Sequence, residues 1–258
     1  MNKITRRKFL KHTGVAMLLS SSLSRRVFAE SNRIPVLLYH DISDQYLDDY
    51  TTSPSLFAAH MEWLYSEGYR AVSPKALPIA GFGREKDIVV TFDDGYASFT
   101  EYVFPILQQY KFTAVINIIG EYVGRYLHFG GNRPLLSWDE YRFLANSGLV
   151  EFGCHTHALH KGKGAAGISP EQLRQDLATF SDIFSSELGV YPEILAWPFG
   201  SYNQKTIEVA KKQGVKYFFT SDEGMLSPSH GLDRIPRLNI NNKLDLASFR
   251  QYVGGVWA

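Results

Sequence analysis

Two stretches of this 258-residue chain bring ionisable side chains together at spacings suited to hydrolytic chemistry. The first is Ile88-Val89-Val90-Thr91-Phe92-Asp93-Asp94-Gly95-Tyr96, where an apolar run passes straight into two adjacent acids and a glycine. Neighbouring residues leaving a strand point in different directions, so one carboxylate can bind a metal while the other faces a water. The same letters also suit an Asp-Asp-Gly turn whose second acid caps the next helix. The second stretch, Val150-Glu151-Phe152-Gly153-Cys154-His155-Thr156-His157-Ala158-Leu159-His160, delivers three imidazoles within six residues. Imidazole is the commonest neutral metal ligand, and two of them with one carboxylate make a frequent catalytic zinc set with open positions. A surface His-rich loop is the competing reading. It is weakened because this run, like the Asp pair, follows a strand-like segment. A third stretch, Ala196-Trp197-Pro198-Phe199-Gly200-Ser201-Tyr202-Asn203, leads from a strand into a Pro-locked aromatic turn. Rim aromatics can stack on sugars, and a fixed turn can aim a backbone N–H at a developing oxyanion; Trp197 alone suits core packing equally well.

The elements that would position these groups alternate along the chain. Strand-like runs occur at Val36–Tyr39, Ile88–Phe92, Thr113–Ile118, Leu149–Gly153, Ile194–Trp197, Tyr217–Thr220 and Ile235–Ile240, with a weaker one near Ala71-Val72. Helix signals lie between them. Ser169-Pro170-Glu171-Gln172 supplies an N-cap hydroxyl, a proline in the first turn and a capping-box glutamine, with Gly189 as the stop. Ser137 to Glu140 opens a second helix before Gly148, and Asn203 opens a third before Gly214. Alternating strand and helix implies parallel strands with right-handed crossovers. About seven such units favour a distorted (β/α)7-type barrel over an open sheet, with the acids and imidazoles at the C-terminal rim.

Composition narrows the function classes. A hydrophobic fraction of 45% and an aromatic fraction of 14% exclude a disordered chain. The single cysteine, Cys154, cannot form an internal disulfide and reads as a small buried residue rather than a nucleophile. Residues 1–29 hold seven of the 27 basic residues and no acid, so residues 30–258 carry 20 basic against 26 acidic residues, a net charge of −6. That balance argues against nucleic acid as a partner. The stretch Thr5-Arg6-Arg7-Lys8-Phe9-Leu10-Lys11 resembles a twin-arginine export signal, followed by an apolar segment and by Val27-Phe28-Ala29 as a small-residue cleavage site. A basic amphipathic surface anchor is the alternative. The expected organisation is a signal peptide over 1–29 and one domain over 30–258, a periplasmic or extracellular monomer with no membrane span in the mature chain.

Thr91-Phe92-Asp93-Asp94-Gly95 resembles the first signature of the polysaccharide deacetylases, the NodB-homology carbohydrate esterases of family 4. The resemblance runs from Pro35-Val36-Leu37-Leu38-Tyr39-His40 to Arg234-Ile235-Pro236-Arg237 and so covers nearly all of residues 30–258. It implies the NodB-homology barrel, with Asp93 as catalytic base and Asp94 as a metal ligand. The family's second signature carries two ligand histidines four residues apart; here Leu159 occupies that place and His160 is the second histidine, five after His155. This stretch, with Trp-Pro-Phe-Gly in the third signature, is similar to the subgroup deacetylating poly-β-1,6-N-acetylglucosamine in biofilm systems. Ala196 stands where the family usually has an arginine, so the group orienting the base is missing or comes from elsewhere.

The resemblance therefore implies a divalent metal, zinc with cobalt or nickel as alternatives, on Asp94, His155 and His160. It implies a hydrolase removing N-acetyl groups from an exopolysaccharide, with the Phe199 backbone N–H as oxyanion donor and His40, Trp197 and Pro198 contacting substrate. The family's late histidine motif is not found, which leaves His230 as the candidate acid. His157 reads as a loop residue, and His12, His60 and His128 are given no role. The alternatives are a peptidoglycan N-deacetylase on the same scaffold, an amidase of small non-sugar amides, or a carbohydrate-binding protein of weak activity.

Overall fold

A computed structural model describes residues 33–46, 48–77, 83–128, 131–162 and 164–255; the expected signal segment and His12 lie outside the described residues. The strands are β1 (Val36–Tyr39), β2 (Asp41–Ile42), β3 (Thr51–Thr52), β4 (Arg70–Ala71), β5 (Asp87–Asp94), β6 (Ala114–Ile118), β7 (Tyr126–His128), β8 (Asn132–Pro134), β9 (Val150–Cys154), β10 (Ile194–Ala196), β11 (Tyr217–Glu223) and β12 (Ile235–Asn239). Seven of them close a parallel ring in the order β1-β12-β11-β10-β9-β6-β5, with β5 pairing back onto β1 and β4 attached to the start of β5. Closure leaves no long free edge in the ring. Outside it lie α1 (Pro54–Ser66), α2 (Phe104–Tyr110), α3 (Trp138–Ala145), α4 (Pro170–Leu188), α5 (Gln204–Lys212) and α6 (Leu246–Val253).

The distortion has a local cause. Strands β11 and β12 shift register between Phe219 and Glu223, β9 and β10 share one registered pair, and no α-helix joins β11 to β12 among the described residues. Helix starts follow the sequence signals: Ser137, Ser169 and Asn203 each make a reciprocal capping box. Each such cap is worth about 1 kcal/mol. Two features had no sequence signal: the short parallel pair β2–β3 and the antiparallel hairpin β7–β8, which places His128 in a strand rather than in a Gly-rich loop. No helix among the described residues is long and apolar enough to cross a membrane.

The two-residue period of the strands sorts their side chains between lumen and helix layer. Leu37, Val90, Phe92, Ile116, Phe152, Leu195, Phe218 and Leu238 belong to the large core that also contains the helix residues. Val36, Val89, Val115, Ile194, Phe219 and Ile235 form a second buried cluster, closed by Ile34 and Leu226, which bridge each other. Two residues further along the same faces, Val89 is followed by Thr91 and Asp93, Val115 by Asn117, and Ile235 by Arg237, all buried. The lumen thus has an apolar floor and a polar C-terminal end.

Candidate active site

Three side chains from two strand ends converge at that polar end. Asp94 ends β5, and His155 and His160 lie in the loop after β9; one ligating atom from each falls within 4.8 Å of the others. Asp94 Oδ1 lies 3.5 Å from His155 Nε2 and 3.3 Å from His160 Nε2. The His155 Nδ1–H donates to the Ala196 carbonyl at 2.8 Å, which leaves the Nε2 lone pair facing the carboxylate. Burial, ahead of the opposing pull of Asp93, lowers the His155 pKa to about 4, so the ring is neutral at ordinary pH. A neutral imidazole lone pair opposite a carboxylate oxygen is repulsive unless a cation lies between them. Asp94 Oδ1 is buried and accepts no hydrogen bond among the described residues. This donor set fits a divalent cation.

Asp93 occupies a different environment. Its Oδ1 accepts from Asn117 Nδ2 at 2.7 Å and from an Arg237 guanidinium nitrogen at 2.8 Å, and its Oδ2 accepts from the other terminal nitrogen of Arg237 at 2.8 Å. Arg237 is held in turn by the Thr220 carbonyl and the Thr91 hydroxyl. Burial alone would push the Asp93 carboxyl up, but the charge and hydrogen bonds of Arg237 reverse that and hold it well below the usual carboxylate range. An arginine is thus held against Asp93 from β12, although Ala196 stands where the resemblance leads one to expect it. Asp93, Asp94, His155, His160 and Arg237 line one pocket of about 260 Å³ with His40, Tyr50, Tyr96, Trp197 and Phe199. Three of the five non-glycine residues with positive φ among the described residues, Asp94 (73°), Thr156 (67°) and Phe199 (57°), lie at its three strand ends. Such backbone strain gathers where surrounding structure forces a functional geometry.

The pattern of the family described as polysaccharide deacetylase matches residues 81–218, more than half of the chain. The chain belongs to the polysaccharide deacetylase family. It is 30% identical over 260 residues to a poly-β-1,6-N-acetyl-D-glucosamine N-deacetylase of Escherichia coli K12, covering 86% of this chain but only 38% of that protein. A Staphylococcus aureus MSSA476 protein of the same description is 27% identical over 222 residues, covering 83% of this chain and 76% of that one. The solved structure of IcaB from Ammonifex degensii superposes with a TM-score of 0.76 at 25% identity, covering 88% of this chain and 98% of that one.

In this deacetylase barrel the remaining residues singled out by sequence fall into two groups. His40 follows β1 and lines the pocket, its ring edge-on to Tyr50 at 5.1 Å. Trp197 also lines it but is almost fully buried, stacked on Tyr202 and Phe218, with Pro198 buried beside it. Phe199 is half exposed and its ring lies 4.6 Å from that of His160. His230 is elsewhere. It sits in an exposed turn where its Nδ1 accepts from the Ser227 amide and meets the Ser227 hydroxyl, and it does not line the pocket. Sequence reasoning missed the contacts of Arg237 and Asn117 with Asp93, although a polar side chain inside each of two largely apolar buried strands, charged in the case of Arg237, was a signal. Tyr96, which lines the same pocket, was also missed.

Proposed function

We propose that this chain is a metal-dependent hydrolase that removes N-acetyl groups from an extracytoplasmic β-linked N-acetylglucosamine polymer of the poly-β-1,6 type, releasing acetate. One observation carries the reading: an arginine-held carboxylate, Asp93, stands in the same pocket as an Asp94/His155/His160 ligand set. Asp94, His155 and His160 would hold the cation, with zinc suited to such donors and cobalt or nickel as alternatives. When bound, it supplies Lewis-acid polarisation of the N-acetyl carbonyl and acidifies a water. Asp93, kept ionised by Arg237, takes a proton from the attacking water as its oxygen adds to the carbonyl carbon. The Phe199 ring lies beside that of His160, and the backbone N–H of this turn would donate to the developing oxyanion. His40 is the one pocket imidazole outside the ligand set; burial lowers its pKa and keeps it neutral, so it hydrogen-bonds the substrate. The proton that Asp93 takes from the water is the one passed on to the sugar nitrogen as the C–N bond breaks. Tyr50, the half-exposed Phe199 and the pocket-lining edge of Trp197 form the wall against which a sugar ring packs, with the buried Pro198 fixing the turn behind them.

The poly-β-1,6 substrate rests on the two curated relatives, on the five-residue histidine spacing and on Trp-Pro-Phe-Gly. Export rests on the substrate class and on the twin-arginine pattern of residues 1–29. The presence of Arg237 against Asp93 favours catalysis over a binding-only role. The test is zinc content and acetate release from poly-β-1,6-N-acetylglucosamine oligomers, with peptidoglycan fragments in parallel. Asp93→Asn is expected to keep zinc and lose turnover by at least about 10²-fold, whereas His155→Ala loses both. Full activity in Asp93→Asn overturns the base assignment, and release from peptidoglycan alone overturns the substrate.

A further inference from the structure

Helix α4 carries an acid that points inward. Asp176 is 9% exposed, and its carboxylate accepts two consecutive backbone amides, His157 N–H to Oδ2 at 2.7 Å and Ala158 N–H to Oδ1 at 2.8 Å. Both amides lie between His155 and His160, in the loop that must curl for its two imidazoles to converge. The opposite edge of the same loop is fixed by Gly120 N–H to the Thr156 carbonyl at 3.1 Å and Glu121 N–H to the His157 carbonyl at 2.9 Å. Between these supports Thr156 holds a φ of 67°, a conformation that a β-branched residue keeps only when its surroundings impose it.

We propose that Asp176 is a positioning residue: its carboxylate clamps the His155–His160 loop in the ligating shape and so sets how tightly the chain holds a divalent cation. This rests on the metal-site reading above. The chemistry of the clamp is specific. Two neighbouring N–H donors need two acceptor oxygens on one planar group, and a carboxylate provides them. An asparagine of the same shape offers one acceptor and turns an NH2 towards the other amide. Supports one shell out from a metal typically change its affinity by about 10–100-fold when removed.

The experiment is zinc affinity of the full chain by competition with a chromophoric chelator, alongside thermal melting of the metal-free proteins. Asp176→Asn is expected to weaken zinc binding about 10–100-fold, with turnover recovering towards wild type once zinc is raised to saturation. Asp176→Glu keeps the charge but displaces the oxygens by one methylene, and should fall between the two; it serves as the deciding variant if Asn does not fold. Zinc affinity within twofold of wild type in the folded variant, whatever its melting temperature, overturns the clamp while leaving the metal site standing. A wild-type chain that binds no zinc, or a His155→Ala variant that binds it as well as wild type, overturns the metal reading itself.

Discussion

Replacing Arg237 by methionine isolates what keeps Asp93 ionised and so fit for the base role proposed above. The wild-type pair is buried, with Arg237 2% and Asp93 3% exposed, and is joined by two hydrogen bonds of 2.8 Å. At an effective dielectric near 20, two unit charges about 4 Å apart attract by roughly 4 kcal/mol. Dividing by about 1.4 kcal/mol per pH unit, the acid limb of kcat/KM should move up by about 3 pH units in Arg237→Met. The sign follows from the causes. Burial favours the neutral acid and Arg237 favours the carboxylate, so without Arg237 burial prevails and a higher pH is needed to ionise Asp93. Breaking one side of a buried pair also destabilises by about 3–5 kcal/mol, a cost that shrinks at low pH as the stranded Asp93 takes a proton. Arg237→Lys keeps a charge but loses the fork and the bond to Thr220, and should lie between wild type and methionine. The assays are acetate release across pH at saturating zinc and chemical unfolding at two pH values. An Arg237→Met protein with an unmoved acid limb and undiminished turnover would refute the argument.

Two further outcomes follow from single contacts. His60 in α1 is buried, its Nδ1 paired with the Tyr39 hydroxyl at 3.0 Å and its ring stacked 3.8 Å from Phe249, and burial lowers its pKa from 6.5 to about 4. Between those values the unfolded chain binds the proton and the native one does not, so stability falls as pH drops from about 6.5 to 4, by roughly 3 kcal/mol; urea titrations should show that slope flattened in His60→Leu. A Cβ on Gly153 would lie 2.4 Å from Asn117 Oδ1 and 2.8 Å from an Ile194 methyl carbon. Gly153→Ala should therefore cost about 1–3 kcal/mol in unfolding experiments and lower kcat by disturbing the Asn117–Asp93 bond; unchanged values in both measurements would show that the barrel wall yields freely there.

Much of the barrel was legible because strands of a closed parallel sheet are buried on both faces and read as short apolar runs. Val36–Tyr39 and Ile194–Ala196 lie where apolarity placed them, and the caps at Ser137, Ser169 and Asn203 lie where their hydroxyls and amide did. Asp94, His155 and His160 converge because Asp94 ends one strand of the ring and the two histidines lie in the loop after another, a property that local order carries. Arg237 was not legible as the partner of Asp93, because the pair is separated by 144 positions and meets only across the closed lumen. His40 reaches the pocket because closure sets β1 beside both β5 and β12, whereas His230 lies in an exposed turn that does not line it. Asp176 looked like one more polar residue on an amphipathic helix; its use of the loop amides depends on how α4 lies against that loop. The pairs β2–β3 and β7–β8 are too short and polar to show any period.

The lumen divides the labour between stability and chemistry along its own axis. Its floor of Val36, Val89, Val115, Ile194 and Ile235 buries apolar surface at no polar cost, a gain of about 25 cal/mol for each Å² removed from water. One pleat higher the same strands bury Thr91, Asp93, Asn117 and Arg237, and buried ion pairs add little net stability because desolvation offsets their attraction. A second buried arginine, Arg133 of β8, repeats this arrangement at the pocket's flank: it pairs with Asp41 at 3.3 Å and with Asp48, bonds Thr51 at 3.1 Å and lies over the Tyr46 ring. Asp41 directly follows His40, and Tyr50 lies between Asp48 and Thr51, so Arg133 anchors the chain on both sides of two pocket residues. Neither arginine is explained by stability, since apolar side chains of similar volume would fill the same space at lower cost. Each is explained by what it holds: Arg237 fixes Asp93 and Arg133 fixes the pocket wall. The strained backbone at Asp94, Thr156 and Phe199 adds to the same cost, and the apolar floor and the helix layer are what keep the polar end in one arrangement.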